Sequence, residues 1–249
     1  MRIIISPAKN MTEDLSDDVL DQPVFLAQAE KIRTVVKAMS LSDCQKMWKC
    51  SEKLAVMNYE RFQTMDLHKN QSPAVYSYTG LQYKYMAPGG LDDKGLAYLQ
   101  KNLRILSGFY GCLRPFDGIV PYRMEMQTVL SVDGKKDLYE FWGDSLYKEV
   151  CDDSGIIVNL ASYEYSQCIE KYLKTEDHMI TVVFGEVVKG KVVQKGTLAK
   201  MARGETVSLM AENQVEDISA LKMLRPQGFV YDPALSSESE FVYINQKRE

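Results

Sequence analysis

Two short polar segments of the sequence combine residue types that bind anions. Ser6 and Lys9 lie in SPAK, directly after a β-branched apolar run, and Asn159 and Ser162 lie in NLASYEY, directly after GIIV. Parallel buried strands present such loops on one edge of a sheet, where hydroxyls, backbone N–H groups and helix N-termini can hold an anion. These segments therefore predict an anion-binding edge. For Ser162 the alternative is ordinary capping of the following helix.

A third group of charged residues lies in the run LSGFYGCLRPFDGIVPYRMEM, positions 106–126. Its glycines permit positive φ and its prolines fix an extended path, a mix that neither a regular helix nor a regular strand tolerates. Such a rigid loop would aim Arg114, Arg123 and Glu125 in fixed directions. Arg123 and Glu125 are two residues apart, so in extended backbone they project from one face. They form either a structural ion pair or part of a site.

A basic stretch follows later in the chain. Between 189 and 203 there are five cations without an intervening acid, and two of them, Lys200 and Arg203, are spaced to share one helix face. Fixed cations at that spacing suit phosphate, since Arg offers a planar fork and Lys a point charge. The alternative is a solvated helix face.

Common signatures of catalysis are absent. The sequence has no phosphate-binding P-loop, no dinucleotide-binding glycine motif and no G-x-S-x-G. General acid–base chemistry remains open, with Glu125 and Glu164 as the candidate residues and Asp144 as a further one. The two histidines lie in no metal-binding motif and the five cysteines form no C-x-x-C. Neither a metal site nor a cofactor is expected.

Composition limits the possible partners. The chain has 249 residues, 45% of them hydrophobic, a net charge of −4 and a pI near 5.4. An acidic protein does not attract nucleic acid by its overall field, so any such binding must be local. No apolar stretch approaches the roughly 18 residues needed to span a bilayer. We expect a cytoplasmic protein without a membrane partner.

Alternating helix and strand patterns favour one α/β domain over residues 1–249, with a mixed sheet whose strand order the pattern does not reveal. The elements predicted from residue spacing and capping signals are a strand from Arg2 to Ile5, a helix from Pro23, a helix pair over 42–63 capped at Ser42 and Ser51, a loop-rich segment over 69–91, a helix from Asp93 past Leu106 to Gly108, a helix over 137–150, a strand over 155–162, a helix after Ser162 and a hairpin around Lys189-Gly190.

Several of these segments together resemble one known family. SPAK, YTGL at 78–81, the 106–126 run, DLYEFWG, NLASYEY, KMARG at 200–204 and GFVYD occur in the order typical of the bacterial peroxide stress protein YaaA family, formerly of unknown function. The resemblance implies a cytosolic protein that limits free iron and oxidative DNA damage. It also implies an unusual α/β fold with a positively charged cleft and a helix-hairpin-helix element that binds duplex DNA.

The resemblance implies roles for particular residues. The anion- or DNA-binding residues would be Ser6, Lys9, Thr79, Arg114, Tyr122, Arg123, Asn159, Ser162, Lys200 and Arg203. The helix pair over 42–62 fits the hairpin element better than LSGFYG does, because Pro115 and Pro121 forbid a regular helix after LSGFYG. Its phosphate contacts would be Lys46, Lys49, Lys53 and Arg61. Where the family usually has KKARG, this chain has Met201, so one cation is missing.

Three functional hypotheses follow. The first is a stress protein that binds duplex DNA through a local basic cleft. The second is an enzyme for a small phosphorylated or nucleoside-like substrate, in which Lys9, Arg123 and Lys200 hold the anion and Glu125 or Glu164 moves protons. The third, direct iron sequestration, has the least support, because no cluster of His and carboxylates occurs at ligand spacing.

Overall fold

One mixed eight-stranded sheet organises the fold in a computed structural model that describes residues 1–13 and 18–245. The strands are β1 (Arg2–Ile5), β2 (Asn10–Met11), β3 (Ser72–Pro73), β4 (Tyr78–Thr79), β5 (Leu103–Ser107), β6 (Gly111–Leu113), β7 (Gly118–Ile119), β8 (Ile156–Leu160), β9 (His178–Val188), β10 (Lys191–Val193), β11 (Phe229–Tyr231) and β12 (Glu240–Asn245). The main sheet has the order β11-β12-β9-β8-β1-β5-β6, and β10 pairs with β9. Two small two-stranded sheets, β2 with β4 and β3 with β7, lie outside it.

Eleven α-helices are present in the described part of the chain. They are α1 (Leu26–Lys37), α2 (Leu41–Trp48), α3 (Glu52–Thr64), α4 (Ala74–Ser77), α5 (Leu81–Met86), α6 (Asp93–Asn102), α7 (Leu138–Trp142), α8 (Ser145–Val150), α9 (Tyr163–Glu170), α10 (Gly196–Glu212) and α11 (Ile218–Leu221). None of the helices over residues 1–13 and 18–245 is long and apolar enough to cross a bilayer.

Strand β1 lies inside the sheet between β8 and β5, and the strand order reverses between β1 and β8. The strands β12, β9, β8, β1 and β5 are parallel, whereas β6, β10 and β11 run antiparallel to their neighbours. From β1 the chain proceeds to β5 on one side, and from β8 it proceeds to β9 on the other. In open parallel sheets, ligands bind in the crevice outside the strand ends at such a point.

Several predicted elements are confirmed. The first strand, the helix pair α2–α3, the hairpin of β9 and β10, and the helix α10 all form. The predicted cap of α2, Ser42, is two residues too late. The N-cap is Ser40, whose Oγ accepts a hydrogen bond from the Asp43 N–H at 3.2 Å. Ser51 is the N-cap of α3 by position, although its side chain makes no capping hydrogen bond.

The prediction of a helix from Asp93 past Leu106 is wrong at its carboxyl end. Helix α6 stops at Asn102 and the chain continues directly into strand β5, all five residues of which are buried. The leucines at 103 and 106 fit a helical spacing, but β5 pairs with β1, and the tertiary pairing decides the conformation. The segment LSGFYG is therefore the tight connection of the β5–β6 hairpin, not the end of a helix.

The two glycines of that connection have different roles. Gly111 has φ of +75°, as predicted, which favours glycine. Gly108 lacks the predicted positive φ. A Cβ at Gly108 would lie 2.8 Å from the backbone carbonyl carbon of Glu125, so glycine is required for close approach of two chain segments. The run over 106–126 is thus folded back onto itself, and this contact positions the Arg123–Glu125 segment.

Two further segments differ from prediction. The helix predicted over 137–150 is divided into α7 and α8 at Gly143, where φ is +51°. The segment predicted to be loop-rich over 69–91 contains the short helices α4 and α5. Both cases involve helices of six residues or fewer, whose stability comes from packing and not from propensity.

The core lies on both faces of strand β1. Ile3, Ile4 and Ile5 are fully buried. A strand buried on both faces reads as a continuous apolar run, as MRIII does. Phe62 of α3 contacts Phe109 with ring centroids 5.4 Å apart, which attaches the helix pair α2–α3 to the β5–β6 connection.

Candidate functional site

A pocket of about 420 Å³ opens at the carboxyl ends of β1 and β8, and we term it the switch-point pocket. Two predicted segments, SPAK and NLASYEY, line it together with the end of the 106–126 run and helix α10. Its lining includes eight predicted anion-binding residues: Ser6, Lys9, Thr79, Tyr122, Arg123, Ser162, Lys200 and Arg203. Both candidate acid–base residues, Glu125 and Glu164, also line it. Residues far apart in sequence therefore converge at one site.

The loops after β1 and β8 are joined directly. The Ser162 N–H donates a hydrogen bond to Ser6 Oγ at 2.8 Å, and the two hydroxyl oxygens are 3.2 Å apart. The Tyr83 hydroxyl donates to the Ser6 carbonyl at 3.0 Å. The Ser162 side chain makes no capping hydrogen bond to α9, so simple N-capping does not account for its hydroxyl. These bonds fix the pocket floor.

One wall of the pocket is a three-residue ion-pair network. Lys9 Nζ lies 2.9 Å from Glu125 Oε2, and Arg123 Nη2 lies 3.1 Å from Glu125 Oε1. Of the two alternatives for Arg123 and Glu125, a structural ion pair or part of a site, the ion pair forms, and both residues also line the pocket. Glu125 therefore neutralises part of the charge of both cations, although Arg123 Nε has no hydrogen-bond partner among the described residues.

The second carboxylate has a perturbed protonation equilibrium. Glu164 Oε1 accepts a hydrogen bond from the Gln127 N–H at 3.3 Å. Burial is the main cause that raises the pKa of Glu164, and the negative charge of Glu125 raises it further, against the opposing effects of Lys9 and of backbone N–H groups. Glu164 thus holds its proton to a higher pH than an exposed glutamate, as a general acid must.

Buried tyrosines support the pocket from below. The Tyr122 hydroxyl lies 2.7 Å from the Tyr78 hydroxyl and 2.6 Å from Ser107 Oγ. Burial raises the pKa of Tyr122 to about 12, so the phenol stays neutral at physiological pH. Sequence reasoning missed Ser107, Tyr83 and Tyr165. The only signal for them was the unusual density of tyrosines and small residues around YTGL and NLASYEY.

Helix α10 forms the opposite wall and contributes Lys200 and Arg203. Its placement depends on Gly204, because a Cβ there would lie 2.0 Å from the carbonyl oxygen of Gln82 in α5. The glycine of KMARG thus allows α10 to pack backbone-to-backbone on α5. Lys200 is exposed and Arg203 is partly buried. Within residues 1–13 and 18–245 neither has an ion-pair partner, and Arg203 Nε is buried without a hydrogen bond.

Arg114 was predicted to belong to the anion-binding set, but it lies outside the pocket. Its Nη1 is 3.2 Å from Asp21 Oδ2 and its Nη2 is 4.0 Å from Glu149 Oε1. It lines a separate cavity with Arg2 and Arg104. The two arginines of the run therefore line separate pockets, which residue spacing alone did not reveal.

Asn159 was also predicted at the site and instead supports it. The side chain is buried in β8, where Nδ2 donates to Thr181 Oγ1 at 3.1 Å and Oδ1 accepts from the Ala161 N–H at 2.9 Å. It therefore shapes the turn that leads to Ser162. Successive side chains of a strand point to opposite faces of the sheet, and Asn159 shares its face with Thr181, its partner in β9.

A second pocket, of about 370 Å³, connects the first to the helix pair α2–α3. It is lined by Lys9, Arg123 and Glu125, which also line the switch-point pocket, and by Lys46 of α2 and Lys49 at the C-cap of α2. Lys49 has φ of +46° at the end of α2. Cations of the helix pair and of the switch-point pocket thus belong to one continuous surface.

The other predicted cations of the helix pair are less close to that surface. Lys53 is exposed and lines neither pocket, and Arg61 Nη1 donates to Asn58 Oδ1 at 3.4 Å near the end of α3.

No group of three or more His, Cys, Asp or Glu is close enough to hold a metal ion in the part of the chain that the structure describes.

The fold and the site define a class of protein: a single-domain α/β protein with a pocket at the reversal of strand order in a mixed sheet. A family model described as peroxide stress protein YaaA matches residues 1–235. The chain belongs to the peroxide stress protein YaaA family, as its motifs predicted.

Relatives match along nearly the whole length. The UPF0246 protein of Pediococcus pentosaceus is 49% identical over 248 residues, which are 99% of this chain and 99% of that protein. The UPF0246 protein of Lachnoclostridium phytofermentans is 46% identical over 245 residues, 98% of this chain and 96% of that protein. The UPF0246 protein of Limosilactobacillus reuteri is 46% identical over 246 residues, 98% of each.

Proposed function

We propose that this protein acts in the cytoplasm during peroxide stress by binding duplex DNA, and that it limits free iron and oxidative DNA damage. Family membership supports the role in peroxide stress. The proposed DNA contact is a basic cleft formed by the switch-point pocket and its neighbour on α2–α3. The helix pair would serve as the helix-hairpin-helix element, with Lys46, Lys49 and Lys53 as phosphate contacts.

The observation that carries the proposal is the continuity of the two pockets. Lys9 and Arg123 line both pockets, so cations extend from Lys200 on α10 to Lys46 in α2 and Lys49 at its C-cap. A duplex backbone carries one charge for about every 1.7 Å of axis, and a row of cations can follow it. Because the chain is acidic overall, DNA binding must be local, and modest affinity is expected.

A salt titration tests DNA binding. The dissociation constant for a short mixed-sequence duplex is measured between about 50 and 200 mM salt, where several phosphate contacts would weaken affinity by orders of magnitude. A K46Q/K49Q double variant should weaken binding and reduce the salt slope by about two units. Lys94→Gln, an exposed lysine of α6, is the control and should change neither. Absence of binding at the lowest salt would refute the proposal.

Cellular experiments test the stress role. A strain that lacks the protein should survive hydrogen peroxide less well and should contain more chelatable iron by low-temperature electron paramagnetic resonance. The wild-type protein should restore both properties, and the K46Q/K49Q variant should restore neither if DNA contact is required. Restoration by that variant would separate the stress role from DNA binding.

A second candidate function is an enzyme for a small phosphorylated or nucleoside-like substrate. It is favoured by Glu164, whose raised pKa suits proton transfer, beside the Lys9–Glu125–Arg123 network in a pocket of small-molecule size. A screen of nucleotides and sugar phosphates for thermal stabilisation tests it, because a ligand at 100 times its dissociation constant adds about 2.7 kcal/mol.

Glu125→Gln distinguishes the two functions. The substitution removes the carboxylate that Lys9 and Arg123 both contact. If the pocket binds DNA, both cations become available, so duplex affinity and its salt slope should increase. If the pocket is catalytic, Glu125→Gln and Glu164→Gln should instead lose turnover. Thermal unfolding of each variant controls for misfolding, since Arg123 loses its carboxylate partner.

A further inference from the structure

We infer that the primary phosphate-binding element of the switch-point pocket is the α10 wall, Lys200 and Arg203, whereas Lys9 and Arg123 contact the ligand only in competition with Glu125. The ligand group is a phosphoryl oxyanion, either of a DNA backbone or of a small nucleotide. The inference rests on the proposed function of this pocket and specifies which of its cations contact the ligand.

The two walls of the pocket differ in whether their cations are paired with a carboxylate. The pocket contains four cations and two carboxylates. Lys9 and Arg123 occupy the two oxygens of Glu125 at 2.9 and 3.1 Å. Across the described residues, Lys200 and Arg203 have no carboxylate partner, and Glu164 lies beyond ion-pair distance of both. An incoming anion therefore competes with an internal carboxylate at one wall and with none at the other.

Arg203 lies in an environment that is unfavourable for a charge without a partner. Its Nε is buried without a hydrogen bond, and burial alone lowers the pKa of the guanidinium, with no neighbouring carboxylate to oppose the effect. A desolvated charge without a partner destabilises a fold, so such a group is retained where a ligand completes its hydrogen bonds. The fork of Arg203 matches a phosphoryl group, and Lys200, one turn earlier, adds a second charge.

The rigid contact of α10 with α5 makes this wall a fixed receptor. Gly204, next to Arg203, packs against the carbonyl of Gln82 and the N–H of Met86, where a Cβ would lie 2.0 and 2.9 Å away. No side chain separates the two helices at this point. Backbone packing of α10 on α5 therefore positions Arg203. Because no ion pair with a described residue occupies its guanidinium, the guanidinium can bind an anion.

The test compares Arg203→Gln, Arg203→Lys and Lys200→Gln with the Lys94→Gln control. In the first experiment the probe is the short duplex over a range of salt. Arg203→Gln should weaken affinity roughly ten- to hundredfold, as loss of a charge-assisted contact does, and Arg203→Lys should weaken it less. Each loss of a cation should reduce the salt slope by about one unit. Lys94→Gln should match the wild type.

Thermal unfolding without ligand separates binding from structure. Because Arg203 Nε is buried without a hydrogen bond and no carboxylate pairs with the guanidinium in the described part of the chain, Arg203→Gln should raise the unfolding temperature while it weakens binding. Lower stability together with lost binding would assign Arg203 a structural role and overturn the inference. Lys200 is exposed, so Lys200→Gln should fold normally and provides an independent reading.

A second probe set identifies the source of the phosphoryl group. Inorganic phosphate and a nucleoside monophosphate are titrated by thermal shift against the same variants. If the duplex binds and Arg203→Gln keeps the wild-type affinity and slope, the inference fails and the proposed function stands. If only the nucleotide or phosphate binds, and Arg203→Gln loses it, the inference stands and DNA binding fails. If no probe binds the wild type, both fail.

Discussion

At the residue scale, the pairing of each charge matters more than the number of charges. Lys9, Arg123 and Lys200 were expected to act together on an anion, and all three do line one pocket. Two of them are nevertheless held by Glu125. A carboxylate at hydrogen-bonding distance competes with any incoming phosphate, so equivalent positions in a lining do not imply equivalent roles.

Asp117 makes a testable contribution to stability. Its side chain is fully buried, one oxygen accepts from the Arg114 N–H at 2.8 Å, and the other has no partner in the described part of the chain. Burial raises its pKa from 3.8 to about 7, against the opposing effects of that hydrogen bond and of Arg114. The folded protein therefore keeps a proton that the unfolded chain releases between about pH 4 and pH 7.

Stability should fall as the pH rises through that interval, and Asp117→Asn should remove this dependence. Above pH 7 the variant should be more stable than the wild type by up to about 4 kcal/mol. Near pH 4 the two proteins should be similar. Urea unfolding at several pH values measures the difference, with the exposed Asp153→Asn as control. An equal effect of Asp117→Asn at both pH values would contradict this account.

At the element scale, the position of a segment in the sheet decides its conformation even where its residue spacing fits a helix. Leu103 and Leu106 continue the leucine spacing of α6, yet they form β5 beside the buried strand β1. Conversely, the first strand and the β9–β10 hairpin were predictable, because an apolar β-branched run and a Lys-Gly turn have few alternatives. Local signals were sufficient where one conformation was strongly favoured.

The contact between α10 and α5 provides a test at this scale. Gly204→Ala would place a methyl group 2.0 Å from the Gln82 carbonyl, so the helices must separate. The expected loss of stability is about 3 kcal/mol or more. Because Lys200 and Arg203 would move with α10, anion binding should weaken as well. Denaturant unfolding and duplex titration measure the two effects.

Gly196→Ala is the matched control in the same helix. A Cβ at Gly196 meets no atom within 4 Å, and alanine favours a helix over glycine. The substitution should leave binding unchanged and stability equal or slightly higher. If Gly204→Ala were as well tolerated, the close contact would not be what positions the α10 wall.

At the scale of the whole molecule, the sheet ties distant parts of the chain together. Strand β1 lies between β8 and β5, and β12, near the other end of the described chain, is inserted between β9 and β11. Unfolding should therefore occur in one transition. Far-ultraviolet circular dichroism and fluorescence of Trp48 and Trp142, which lie in α2 and α7, should give coincident urea curves. Separated midpoints would show that the helix pair α2–α3 unfolds independently.

The sequence by itself determined the fold class, the family and most of the residues that line the pocket. These properties depend on local patterns and on motifs whose order is visible along the chain. Only the tertiary structure decided the strand order, the strand at 103–107, the separation of Arg114 from Arg123, and the partners of each charge. The physical reason is that strand pairing and ion pairing join residues distant in sequence, and spacing along the chain carries no information on which pairs form.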